Sequence, residues 1–163
     1  MTDKNRVVLS EIVQISRQYQ RSIRIDADIG RADALAGYIC HSTATSVVDG
    51  MCKQLIGTNQ RCFTWTGPFG GGKSSLAVAL ASAVHPDKAL RAKARQALRL
   101  DANPAFDKAF PVHRGWLIVP AVGRRGSVVA PLYAALRRAQ GKPVDGRHKP
   151  TAQPLIADLL EAA

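Results

Sequence analysis

One stretch limits what this chain can fold into more than any other: Gly67-Pro68-Phe69-Gly70-Gly71-Gly72-Lys73-Ser74, with the spacing G-x-x-x-x-G-K-S. A polyphosphate presents dense negative charge and many acceptor oxygens. A loop that cradles it must turn its backbone N–H groups inward and let the ligand approach the main chain closely. Gly67, Gly70, Gly71 and Gly72 permit the dihedrals and the close approach that side chains would forbid. Lys73 adds an ammonium that can reach outer phosphates, and Ser74 adds a hydroxyl suited to a phosphate-bound Mg²⁺. A helix starting here would point its positive end at the same anion.

The flanks fit that reading. Arg61-Cys62-Phe63-Thr64-Trp65-Thr66 is rich in β-branched and aromatic residues and predicts a strand. Residues 74–84 are rich in Ala and Leu, with an apolar stripe through Leu76, Leu80 and Val84, and predict a helix that Pro86 ends.

At 163 residues the chain is expected to hold one domain with extensions, and 46% hydrophobic content is enough for a core. The expected division is a helix and extended segment over 1–44, a nucleotide-binding core over 45–140, and a linker and terminal helix over 141–163. No uncharged apolar run reaches the ~20 residues of a membrane span, and residues 1–6 lack the apolar region of a secretory signal. Cys40, Cys52 and Cys62 are odd in number and unpaired in spacing, which fits free thiols in a reducing cytoplasm. His41, His85, His113 and His148 are too scattered for a metal cluster. Net charge is +11, and residues 87–163 carry fourteen Lys/Arg against six Asp/Glu, or +8 of it. That imbalance suits a solvated surface, a nucleic acid or an acidic protein partner.

In chain order, Val8, Leu9, Ile12, Val13, Ile15 and Tyr19 predict a helix over 5–20, with Asp3 as its N-cap. Ile23-Arg24-Ile25-Asp26 alternates as an extended segment would, and Asp28-Ile29-Gly30 reads as a turn. Ser46 with Asp49 suggests a capping box opening an amphipathic helix over 45–57 that Gly57 closes. Residues 87–100 read as a basic helix with Lys88, Arg91, Arg95 and Arg99 on one stripe, either a solvated face or a polyanion-binding one. Asp101 to Pro104 breaks it. Gly115 to Val122 is apolar enough for a strand covered on both faces. Residues 127–139 predict a helix capped by Gly141, and 154–163 predict another. Strands alternating with helices argue for a layered α/β fold with a small parallel sheet.

Thr66 to Leu76 resembles the nucleotide loop of the AAA-like ATPases, within the P-loop NTPase class. More narrowly, residues 35–85 are similar to the amino-terminal part of large bacterial ATP-binding proteins, some associated with defence against phage. The resemblance implies a three-layer α/β/α fold, here with a small or incomplete parallel sheet and an amino-terminal helical extension. It implies ATP and Mg²⁺ as ligands. Gly67, Pro68, Phe69, Gly70, Gly71, Gly72, Lys73, Ser74 and Ser75 would hold the nucleotide, with Ser74 on the metal and Lys73 in the catalytic role. Gly37-Tyr38-Ile39 would contact the adenine, with Tyr38 the binding residue.

Such ATPases also place an acid at the end of a second apolar strand. Here Trp116 to Val122 runs into Gly123-Arg124-Arg125, and the weak match Leu155-Ile156-Ala157-Asp158 sits in helical surroundings. The chain is therefore expected to be an amino-terminal fragment, a truncated product or a divergent small nucleotide-binding protein, with an ATPase module incomplete in this chain. Two other readings use the same residues. A small-molecule kinase would use the same loop, although some 66 residues precede it. A basic nucleic-acid-binding module would use nucleotide as a regulator. An oligomer and an acidic protein partner for the basic carboxyl half are compatible with all three.

Overall fold

The computed structural model describes residues 8, 12, 13, 22–123, 125–145 and 150–162. The helix expected over 5–20 lies outside them, apart from the exposed Val8, Ile12 and Val13. Seven helices follow: α1 (Ile25–Asp28), α2 (Ser42–Gly57), α3 (Lys73–Ala83), α4 (Lys88–Ala97), α5 (Pro104–Ala109), α6 (Val129–Ala139) and α7 (Ala152–Ala162), with a 3-10 turn at Ala32–Leu35.

The largest correction concerns the sheet. Among the described residues there is no strand and no bridge, so the α/β/α layering with a parallel sheet is overturned; the fold is helical. The two segments expected as strands lie outside any helix but do not pair. Within residues 61–66, the Cys62 carbonyl accepts from its neighbour Gln60 Nε2 and no backbone ladder forms. In the second segment, Trp116 N–H bonds the Val84 carbonyl at 2.9 Å, beyond the end of α3. A pattern of β-branched and aromatic residues fits a strand locally, but a sheet needs a second backbone at ladder spacing. Here Trp65 and Ile118 instead lay their side chains on the helical core.

That core is built where α3 packs on α4 and α2 packs on α5. Val48 and Cys52 come from α2, Leu76, Val78, Ala79 and Ala83 from α3, and Leu90 and Ala94 from α4. Helix α5 is an addition to the expected elements, and its Phe106 is fully buried and stacks on Phe110 at 4.8 Å between ring centroids. Its signal was in the sequence: Asn103 accepts from Phe106 N–H at 2.9 Å, and Pro104 takes the first helical position.

Smaller corrections follow from local hydrogen bonds. The stretch expected to be extended at Ile23 to Asp26 instead turns into α1, because the buried Asp28 carboxylate accepts from Arg24 N–H at 2.8 Å. Helix α2 starts at Ser42, so Ser46 lies inside it and the capping box is not its start; His41 is the N-cap, without a side-chain bond. Helix α4 ends at Ala97 rather than Leu100. Arg99 takes the left-handed conformation (φ 57), and Leu100 N–H reaches back to the Arg95 carbonyl at 2.8 Å. Gly141 closes α6 in the same way, as its position predicted, with φ 68 and Lys142 N–H on the Arg137 carbonyl at 2.8 Å.

One glycine is essential to the packing. A β-carbon on Gly115, whose φ is 97, would lie 2.2 Å from Pro86 Cα, so the second extended segment crosses directly over the α3–α4 joint. No helix of the described residues is long and apolar enough to cross a membrane. Cys40, Cys52 and Cys62 are all free, the first two buried.

Candidate functional site

Three of the four loop glycines adopt backbone conformations that side chains disfavour. Gly67 (φ 155), Gly70 (φ 76) and Gly72 (φ 74) all have positive φ. Gly71 N–H bonds the Pro68 carbonyl at 3.3 Å and closes a tight turn. Gly72 is the N-cap of α3, and Leu76 N–H makes the first helical bond to its carbonyl at 2.9 Å. The N–H groups of Gly70, Gly72, Lys73, Ser74 and Ser75 have no partner among the described residues. These are the orphan donors of a helix start and the turn before it, and they stay available to an anion.

Lys73 extends across this loop. Its ammonium donates to the carbonyls of Gly67 at 2.9 Å and Pro68 at 2.7 Å. Ser74 is exposed and its hydroxyl makes no hydrogen bond among the described residues; Ser75 beside it is half-buried. Phe69 is fully exposed at the tip. The loop therefore offers a cation, a hydroxyl and a row of unpaired amides within eight consecutive positions.

Comparison with protein-family models, with curated proteins and with solved structures finds no match.

The other residues singled out in the sequence lie elsewhere. Tyr38 is half-buried against the core, where burial pushes its hydroxyl up to about 12, and it makes no contact with the loop in the hydrogen-bond pattern. Asp158 sits on α7, within a helix rather than at the end of a strand. Arg124 lies outside the described residues, and Arg125 is exposed. No group of His, Cys, Asp or Glu able to hold a metal occurs among the described residues. Two open surface cavities, of about 530 and 490 Å³, lie among the described residues, and no residue of the loop lines either one.

The basic stripe of α4 has a structural use that the sequence concealed. Arg91 Nη1 donates to the His85 carbonyl at 2.5 Å and the Pro86 carbonyl at 3.3 Å. Arg95 Nε donates to the Ala83 carbonyl at 3.4 Å, its Nη1 pairs with Asp107 at 2.7 Å, and its guanidinium lies 5.3 Å from the Phe106 ring centre. Two cations thus sit at the carbonyl end of α3, the end opposite the loop, where the helix dipole favours positive charge. With Arg99 in its left-handed cap, the stripe is not a continuous open face.

Proposed function

We propose that this chain is a nucleotide-binding protein of the P-loop class, and that residues Gly67 to Ser75 bind the phosphates of Mg-ATP. The observation that carries this reading is the conjunction at one helix start: glycines in positive φ, amides of Gly70 and of Gly72 to Ser75 without a partner among the described residues, and Lys73 held across them. A lone helix start would attract an anion weakly. Here the amides supply directional donors, and Lys73 supplies a charge-assisted one.

The donor set suits both parts of the ligand. Ser74 is exposed with an uncommitted hydroxyl, so it would be the protein oxygen on Mg²⁺. The metal would add charge neutralisation at the outer phosphates. Lys73 would leave the Gly67 and Pro68 carbonyls for the phosphate oxygens. The proposed activity is binding, because Asp158, the weak acidic match, lies on α7 and hydrolysis requires an acid that organises the water around the metal.

Calorimetric titration of ATP, with and without Mg²⁺, tests this on the wild type and on Lys73→Ala. Tight binding by the wild type and strong loss in the variant support the loop as the site. Equal affinity in the two proteins overturns it.

A further inference from the structure

The larger cavity, of about 530 Å³, runs beside the second extended segment. Gly115, Trp116, Leu117, Ile118 and Pro120 form one wall; Ala135, Arg138 and Ala139 of α6 contribute another part of the lining. Three observations meet here. From Leu117 to Val122 the backbone makes no hydrogen bond with any described residue. The segment is nonetheless held in place: Trp116 is tied by its N–H to Val84 and by its indole N–H to the Pro111 carbonyl at 3.0 Å, and Ile118 packs on the core. Apolar side chains stay open along it, at Trp116, Leu117 and Val122.

A fixed, non-helical backbone with unused donors and acceptors is what an added strand pairs with. Charge decides which strand. Residues 108–144 contain seven Lys/Arg and no Asp/Glu. Arg138 is exposed in the cavity lining, and Arg114 and Arg125 are exposed beyond the two ends of the segment. The one carboxylate in the lining, Asp26, is already paired with Arg24 at 2.7 Å. A second copy of this chain, at +11, would bring like charge to like.

We propose that the groove between Leu117–Val122 and α6 is a docking site for an extended, acidic segment of a partner protein, which pairs its backbone with residues 117–122 and sets its carboxylates against Arg138 and its neighbours. This site stands apart from the phosphate loop and does not depend on it.

The probes are short synthetic peptides of alternating valine and threonine, flanked by glutamates, by lysines, or by glutamates with every nitrogen of the valine–threonine core methylated. The glutamate peptide should bind and slow amide exchange at Leu117, Val119 and Ala121, whose N–H groups share one edge, the edge that does not carry Pro120. The methylated peptide should not, because it cannot complete a ladder. Arg138→Glu, an exposed change, should weaken the glutamate peptide about tenfold at low salt and favour the lysine peptide. The proposal is overturned if exchange at 117–122 does not slow, or if methylation or flank charge makes no difference. It is also overturned if those amides are already protected in the protein alone, including by a dimer detected in sedimentation.

Discussion

Helices α3 and α4 are neighbours in sequence and in space, and both face the same problem at their first turn: amides with no carbonyl to bond. They resolve it in opposite ways. In α4 the Asp87 side chain accepts from Ala89 N–H at 2.8 Å and Leu90 N–H at 3.1 Å, so the start is closed by the chain itself. In α3 the N-cap is Gly72, which has no side chain to offer, and the amides remain open. A capped start contributes stability; an uncapped one preceded by glycines in positive φ gives up that contribution and keeps its donors for something else. The contrast separates a helix end closed by its own chain from one left open, by chemistry visible in single residues.

The harshest way to break the contrast is at the joint between the two helices. Gly115→Ala would drive a methyl group into Pro86, the residue before the α4 cap, and would strain a positive φ as well; a loss of about 3 kcal/mol or more is expected in chemical denaturation. Next comes the open end. Lys73→Ala should weaken ATP binding about a hundredfold in calorimetry while the melting temperature moves little, since the ammonium only bridges exposed loop carbonyls.

The closed end should respond in reverse. Asp87→Asn should leave ATP affinity unchanged and alter the acid side of the stability profile. The Asp87 carboxyl is held below its ordinary value first by the Leu90 and Ala89 amides, then by His85 and Arg91 nearby. A lowered folded value means the stabilisation is complete above the ordinary carboxylate range and lost as pH falls through the lowered one. Melting curves of the wild type should therefore drop more steeply below about pH 4 than those of Asp87→Asn. The smallest effect is expected inside α3. Ser82 is fully buried and its hydroxyl has no partner among the described residues, so Ser82→Ala should stabilise by about 0.5–1 kcal/mol without touching either end.

The sequence carried the loop and helices α2, α3, α4, α6 and α7 to within a few residues, because glycine spacing, helical periodicity and caps act over one or two turns. It failed where the outcome depends on distant chain. Residues 61–66 and 115–122 have strand composition, but whether an extended segment pairs is decided by what lies next to it, and local pattern has no access to that. The contacts of the α4 stripe were hidden for the same reason: that Arg91 and Arg95 bond the carbonyls at 83–86 and the Asp107 carboxylate depends on chain outside the helix. Helix α5 is legible in the sequence, since Asn103-Pro104 reads as readily as a helix start as it does a helix end. Tyr38, which the resemblance places at the adenine, is half-buried against the core.

The bonds from Lys73 to the Gly67 and Pro68 carbonyls have a consequence for discrimination among anions. The ammonium is tethered to its resting acceptors and returns to them without diffusing. A visiting anion must outcompete two carbonyl oxygens that are always at hand. A single weakly charged oxyanion does this poorly, whereas a chain of phosphates offers several oxygens at once to both the ammonium and the amides. If the loop binds phosphates as proposed, the lysine's resting position would act as a filter that rewards length and charge in whatever reaches the loop.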